Sequence, residues 1–228
     1  MIFIFPVDYF FALEKESLSH LFEGCQEVWE ALTKLPEAIK QMTASPQILG
    51  EVHPTAVLKG AVHVGKGTVI GPHVYIEGPV FIGESSELRQ GAYLRPYCII
   101  GDECVVGHDT EVKASIMLKK SHAPHFAYVG DSILGYEVNL GAGTKLANFK
   151  LQGDRIFIKA NGTRIATGMR KLGAIIGDGS QVGCNAVTAP GTLIGKNSWV
   201  YSALSVNGFI PSNSIVKPHS GFSIEPKR

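Results

Sequence analysis

The sequence lacks the features that mark several classes of protein. Its net charge is only +1, from 21 basic and 20 acidic residues, so no broad field attracts nucleic acid or an anionic membrane. No apolar run approaches the roughly 18 residues that a membrane-spanning helix needs. The four cysteines form no C-x-x-C pair, and we interpret them as reduced thiols. These absences predict a cytoplasmic protein that binds neither nucleic acid nor membrane.

Aromatic residues are also few, at 9%, although hydrophobic residues make up 45% of the chain and glycine occurs 26 times. An apolar chain of this kind is typical of many tight turns around a core of small and branched side chains. With 228 residues, the chain is long enough for one domain and a small appendage.

From residue 52 onward, aliphatic residues recur at every sixth position. The positions are Val52, Leu58, Val64, Ile70, Ile76, Ile82, Leu88, Leu94, Ile100, Val106, Val112 and Leu118. The same register resumes at Leu134, Leu140 and Leu146, and later at Ile176, Val182, Thr188, Ile194, Val200 and Val206. A period of six fits neither a helix nor a plain alternating strand, but it fits a short strand and a turn, repeated. Three such units close a triangle whose stacked coils bury every aliphatic residue.

The sequence therefore predicts an all-β protein, a hexapeptide-repeat parallel β-helix shaped as a triangular prism, over residues 51–228. Glycine often follows the aliphatic residue directly, as at Gly65 and Gly107, and we expect it to supply positive φ at the corners. Residues 1–50 form a predicted N-terminal α-helical segment, in which Pro36 ends one helix or begins another. The repeat breaks near 119–127 and at 148–171, and we expect loops there, where function tends to lie.

Three segments resemble a known family: Pro124 to Asp131, Asn139 to Thr144, and Gly168 to Asp178. They are similar to three segments of the acetyltransferase half of the bifunctional sugar-1-phosphate nucleotidylyltransferases/acetyltransferases. The first resembles that family's His-x-x-Tyr-aliphatic-Gly-Asp segment, and the second resembles its Asn-aliphatic-Gly-Ala-Gly-Thr segment. The third resembles the segment by which the chain re-enters the β-helix in the branch of the family that has a longer loop. The resemblance covers residues 95–210. It implies a left-handed β-helix, a homotrimer with sites between prisms, acetyl-CoA as cosubstrate without a required metal, and an amino-sugar 1-phosphate such as glucosamine 1-phosphate as acceptor.

The resemblance assigns a catalytic group to three positions. His125 matches the general base, Glu111 matches the carboxylate that orients it, and Asn139 matches a polar residue beside the acceptor. The chemistry requires a base because an ammonium cannot attack a thioester, and the pKa of a histidine suits the proton transfer. Backbone N–H groups near 141–143 would then stabilise the oxyanion.

The remaining matched positions bind substrate. Arg95 and Lys113 match the cations that hold the sugar phosphate, and Tyr128 and Asn148 match polar residues around the sugar. The positions matched to the acetyl group and coenzyme A are Ala142, Cys184 and Ser202.

The chain departs from the family at one cation of the second loop. Asp154 stands at the ungapped position of a family lysine, for which Lys150, Lys159 or Arg164 could substitute through the longer loop. The identity of the amino sugar therefore stays open. No nucleotidyltransferase signature precedes residue 52, so we do not expect uridylyl transfer, and the role of the helical segment is also open.

Two other functions stay open at this point. One is a non-catalytic β-helix scaffold, in which His125 is an exposed loop residue and Arg95 and Lys113 form a solvated face. The other is a zinc enzyme, because the γ-class carbonic anhydrases share this β-helix and Gly107-His108 resembles one of their ligand segments. Against zinc, Lys113 occupies the position of a second family histidine.

Overall fold

A computed structural model describes residues 5–14, 16–160 and 162–219; the outer ends of both predicted units, 1–4 and 220–228, lie outside these residues.

Three parallel sheets form the sides of a prism. Sheet I comprises β1 (Glu51–Val52), β4 (Val69–Ile70), β7 (Glu87–Leu88), β10 (Val105–His108), β13 (His122–His125), β16 (Asn139–Leu140), β21 (Gln181–Val182), β24 (Trp199–Val200) and β27 (Ile215–Val216). Sheet II comprises β2 (Val57–Lys59), β5 (Tyr75–Glu77), β8 (Tyr93–Leu94), β11 (Glu111–Lys113), β14 (Tyr128–Gly130), β17 (Lys145–Leu146), β22 (Val187–Thr188) and β25 (Ser205–Val206). Sheet III comprises β3 (Val62–Val64), β6 (Val80–Ile82), β9 (Cys98–Ile100), β12 (Ile116–Met117), β15 (Ile133–Leu134), β20 (Ala174–Ile176), β23 (Thr192–Ile194) and β26 (Phe209–Ile210).

Apart from the hairpin described below, successive strands belong to sheets I, II and III in turn, so a strand pairs with the strand of the same sheet one coil later. Ile70, Ile76 and Ile82 show the arrangement, since one coil sends one fully buried aliphatic side chain inward from each sheet. Burial of such a side chain contributes about 1.5–3 kcal/mol relative to exposure, and each coil repeats the contribution. The predicted left-handed parallel β-helix, preceded by a helical segment, is confirmed.

The six-residue spacing shortens in the middle of the chain. Register partners one coil apart are separated by 18 residues at Ile70 and Leu88 but by 17 residues at Val112 and Val129. Met117, rather than the predicted Leu118, consequently points into the prism, and Leu118 packs outside it.

The predicted loop near 119–127 is also different in the structure, because this segment contains β13 and completes a coil. Ala123 and Ala127 take the inward positions there. The repeat is not evident from the sequence here, because these inward positions hold small alanine side chains and not the large aliphatic side chains that define the sixfold pattern.

Glycines after the aliphatic residue have a role other than the predicted one. Gly107 does not adopt positive φ; a Cβ there would overlap the carbonyl of Pro124 in the next coil, and Gly65 meets the next coil in the same way. Positive φ occurs instead at other corner positions, such as His73 and Gly67. The repeated glycine therefore permits close stacking of coils.

The N-terminal segment comprises short helices rather than one continuous helical face. They are α1 (Val7–Phe10), a 3-10 helix (Ser19–Phe22) and α2 (Glu30–Met42), and Gly24, with φ of +68°, follows the 3-10 helix. Pro36 lies inside α2, which contradicts the prediction that it ends or begins a helix. Packing of the buried face of α2 offsets the backbone hydrogen bond that proline cannot donate.

The helical segment covers sheet III. Trp29, Leu35 and Ile39 share one buried cluster with Ile99 and Ile116 from the outer face of that sheet. No helix among the described residues is long and apolar enough to cross a membrane.

A hairpin of β18 (Phe157–Ala160) and β19 (Thr163–Ala166) projects from the prism between β17 and β20. It lies within the segment 148–171 that the sequence predicts as a loop. Ile156, Ile158 and Ala160 are buried in the same cluster that covers sheet III, so the hairpin is fixed to the prism.

Thr188 gives a test of the core. It occupies an inward position between Leu146 and Val206, and its hydroxyl is buried without a hydrogen-bond partner among the described residues. Thr188→Val removes that unsatisfied group at nearly constant volume, so the free energy of unfolding should rise by about 1–3 kcal/mol. Urea unfolding followed by circular dichroism measures the change.

Thr144→Val is the matched control. The Thr144 hydroxyl is also buried but donates a hydrogen bond of 2.7 Å to the Gly141 carbonyl, so its loss should lower stability. A lower unfolding midpoint for Thr188→Val would contradict this account of the core.

Candidate functional site

Outward side chains of sheet II bring several predicted site residues onto one face. Glu111 is the register partner of both Tyr93 and Tyr128, one coil before and one coil after. The Arg95 guanidinium lies 3.0 Å from the Glu111 carboxylate. Arg95, Glu111 and Tyr128 are therefore neighbours even though they come from three coils.

A second group continues this face toward the corner with sheet III. The Lys113 ammonium lies 2.8 Å from Asp131, and the Asn148 amide donates to Asp131 and to the Tyr128 hydroxyl, the latter at 3.2 Å. Burial, followed by the charge of Glu111, raises the pKa of Tyr128, so its hydroxyl stays protonated at neutral pH. Asp131 had no role assigned from the sequence, although it ends the His-x-x-Tyr segment.

His125 lies at the edge between sheets I and II. It ends β13, its ring is exposed, and its register partner in the preceding coil is His108. Its ring forms no hydrogen bond with any residue that the structure describes, and the Glu111 carboxylate contacts Arg95 instead. The predicted contact between base and carboxylate is therefore absent from the described contacts.

The three positions matched to acetyl-CoA occupy the same corner on successive coils. The carbonyl of Ala142 accepts from the amide of Asn185 at 2.8 Å, and the carbonyl of Cys184 accepts from Ala203, the residue after Ser202, at the same distance. Within the described ranges, the N–H groups of Ala142, Cys184 and Ser202 have no hydrogen-bond acceptor. They form a column of free donors, which we call the amide column.

The amide column begins beside His125. The Gly143 amide donates to the His125 carbonyl at 3.0 Å, and the Gly141 amide donates to Val182 at 2.6 Å. Of the three amides at 141–143, only that of Ala142 is left free among the residues described.

Asn139 lies apart from the face of sheet II. It belongs to sheet I, where its register partner is His122, and both line a polar cavity of about 460 Å³ with Glu103, Lys120 and Glu137. Within one chain, the structure therefore does not bring Asn139 together with Arg95 or Lys113.

His108, the residue behind the zinc alternative, has other partners. Its Nδ1 lies 2.9 Å from the Gln90 carbonyl, its ring packs edge-on against Phe126, and Lys113 is paired with Asp131. In the described part of the chain, no group of three or more His, Cys, Asp or Glu side chains is arranged to hold a metal ion.

The insertion gathers the three cations considered as substitutes for the missing family lysine. Lys150, Lys159 and Arg164 all line one groove of about 780 Å³ between the hairpin and the corner that joins sheets II and III. Asp154 is exposed and is not among the lining residues.

Comparison with known proteins gives related sequences. Residues 76–169 match the family model described as the GMPPB C-terminal domain. A bifunctional sugar-1-phosphate nucleotidylyltransferase/acetyltransferase of Sulfurisphaera tokodaii is 40% identical over 161 residues, which cover 71% of this chain and 40% of that protein. The bifunctional protein GlmU of Methanococcus aeolicus is 32% identical over 200 residues, which cover 88% of this chain and 48% of that protein. The chain spans less than half the length of these relatives.

Among solved structures, the UDP-N-acetylglucosamine acyltransferase from Campylobacter jejuni superposes with a TM-score of 0.53 at 17% identity, covering 72% of this chain and 70% of that one. The fold therefore defines a hexapeptide-repeat parallel β-helix protein. Within this class, the resemblance to the C-terminal acetyltransferase half of the bifunctional sugar-1-phosphate nucleotidylyltransferases/acetyltransferases is confirmed.

Asp131 should be a structural centre of the sheet II face. Asp131→Ala leaves the mostly buried Lys113 ammonium unpaired and removes an acceptor of Asn148, so the free energy of unfolding should fall by about 2–4 kcal/mol. The exposed pair between Glu87 and Arg89 supplies the control, since Glu87→Ala should cost less than about 1 kcal/mol. Equal losses in urea unfolding would show that the Asp131 network is not structural.

Proposed function

We propose that the chain is a coenzyme A-dependent N-acetyltransferase, which transfers acetyl from acetyl-CoA to the amine of an amino-sugar 1-phosphate in nucleotide-sugar metabolism. The observation that supports it most is the position of His125 beside the first free amide of the amide column. A proton acceptor and an oxyanion donor thus adjoin at one corner. The adjacent face of sheet II carries the cations and hydroxyl suited to a sugar phosphate.

The reaction needs a base and an oxyanion donor. His125 takes a proton from the acceptor ammonium, and the amine nitrogen attacks the thioester carbonyl. The Ala142 N–H donates to the oxygen that becomes negative, because the neighbouring amides of Gly141 and Gly143 are already bonded. The new C–N bond forms, the C–S bond breaks, and coenzyme A leaves as a thiolate, which takes up the second proton that the nitrogen loses as it becomes an amide.

The ion pair between Arg95 and Glu111 gives the acceptor phosphate a second role. A phosphate dianion competes with the Glu111 carboxylate for the Arg95 guanidinium. A Glu111 carboxylate released in this way becomes available to orient His125. Acceptor binding would then assemble the base and its carboxylate together.

A homotrimer in the cytoplasm is part of this proposal. Trp199, Tyr201 and Ile215 are exposed on the outer face of sheet I, and Trp199 and Ile215 are register partners. Exposed apolar side chains grouped in this way are typical of an interface. Packing of sheet I against sheet II of another copy would bring Asn139 near the acceptor face.

A thiol-release assay tests the proposed reaction. The full chain, with its mass measured by light scattering, is incubated with acetyl-CoA and a panel of amino-sugar 1-phosphates that includes glucosamine and galactosamine. We expect a mass of three chains and release of free thiol with at least one member. A trimeric protein that turns over no member of the panel would favour the scaffold function instead.

His125 should be required for turnover. His125→Ala should lower kcat by about 10²–10⁴-fold with little change in coenzyme A affinity, because only proton transfer is lost. His122→Ala is the matched control in the same strand and should keep turnover near that of the wild type. Wild-type turnover by a folded, trimeric His125→Ala variant would remove His125 from the catalytic group.

A further inference from the structure

The groove beside the hairpin carries positive charge that no acidic side chain offsets. Lys150, Lys159 and Arg164 line it, and no Asp or Glu is among the described residues that do so. This differs from the sheet II face, where Arg95 and Lys113 are each paired with a carboxylate. The three groove cations form no ion pair with any residue that the structure describes.

The hairpin places two of these cations directly opposite each other. Lys159 and Arg164 are register partners across β18 and β19. Like charges at directly opposite positions destabilise a two-stranded ribbon, and a bound anion would remove the repulsion. The alternate pair on the other face, Ile158 with Ile165, is apolar and packs toward the prism, so the cations must face the groove.

Phe157 holds the other cation close to this pair. The Lys150 ammonium lies 5.2 Å and the Arg164 guanidinium 4.6 Å from the centre of the Phe157 ring. Lys150 is also fixed by a 3.0 Å hydrogen bond to the Arg155 carbonyl. The positive charges are therefore ordered around one aromatic side chain on a hairpin that the core cluster anchors.

The groove also has an apolar part and free amides. Phe149 and Leu151 line it and are exposed, and Arg170 lies over the Phe149 ring at 5.9 Å. Gln152 and Asn207 line it too, and their side-chain amides make no hydrogen bond within the described residues. A volume of about 780 Å³ is in the range of sites for ligands larger than a simple phosphate.

We propose that this groove binds a nucleoside diphosphate group, such as that of a sugar nucleotide. The two phosphates lie against Lys159 and Arg164, which can each donate charge-assisted hydrogen bonds to them. The base stacks on the exposed Phe149 side chain, and the free amides contact its polar edge. The proposal goes beyond acetyl transfer and does not depend on it.

Binding is measured by calorimetry on the full chain without acetyl-CoA, with ADP, GDP, UDP, inorganic pyrophosphate and coenzyme A as probes. At least one nucleoside diphosphate should bind at least about tenfold more tightly than pyrophosphate. Lys159→Gln combined with Arg164→Gln should weaken that binding by at least about tenfold, and its thermal midpoint should equal or exceed that of the wild type, because the like-charge pair is gone.

Lys171→Gln is the matched control, because it removes one exposed cation of the same insertion that does not line the groove. It should leave binding unchanged, whereas Phe149→Ala should reduce the preference over pyrophosphate.

Three outcomes with the nucleoside diphosphate and pyrophosphate probes would overturn the proposal: no binding by the wild type, equal binding of pyrophosphate and every nucleoside diphosphate, or unchanged binding by the double variant. Loss of coenzyme A affinity alone in the double variant would assign the groove to the acetyl donor and also overturn it. None of these outcomes depends on turnover, so failure of the proposed acetyl transfer would be seen separately in the thiol-release assay.

Discussion

The backbone ladder between successive coils is the constraint on which the rest of the structure depends. Each strand inside a sheet pairs with the strands one coil before and one coil after it, so an outward residue stands above its counterpart 17 or 18 positions earlier in most coils and 42 positions earlier across the hairpin insertion. The inward aliphatic column supplies the burial that makes this stacking favourable, since no single coil encloses a core. Functional side chains must therefore be drawn from columns rather than from local sequence.

This constraint explains the composition of the site. Arg95 and Glu111 are 16 residues apart, Lys113 and Asp131 are 18 apart, and Asn148 and Tyr128 are 20 apart. Each contact joins neighbouring coils on one face. The amide column obeys the same rule with main-chain atoms, because the same corner leaves the N–H free on the three successive coils of Ala142, Cys184 and Ser202.

The sequence was informative wherever the column is made of large aliphatic residues, and less so where it is not. The spacing of Ile70, Ile76 and Ile82 was enough to predict the prism. The five-residue step from Val112 to Met117 and the small inward Ala123 could not be predicted, because neither fits a repeat of large side chains at every sixth position. The sheet II site residues could be placed together because the family resemblance supplied their roles and the repeat supplied their faces. The carboxylate that pairs with each cation could not be predicted, because an ion pair between coils depends on how far each side chain reaches. The hairpin at 157–166 was also missed, because its antiparallel pairing follows a period of two inside a chain with a period of six.

The two sets of cations differ in what they require of an anion. Arg95 and Lys113 each already pair with a carboxylate, which a phosphate must displace or join. The cost of weakening that ion pair reduces the net binding energy of the phosphate. The cations of the hairpin groove have no such competitor, and mutual repulsion between Lys159 and Arg164 already favours an anion there. On the prism, the stacking of coils places acidic and basic side chains next to each other, so the charges of Arg95 and Lys113 are neutralised by carboxylates of the neighbouring coil. An insertion that leaves the columns is free of that compensation, so net positive charge concentrates there. Under the two proposals, the regular face would hold the reacting sugar phosphate and the insertion would hold a nucleoside diphosphate group.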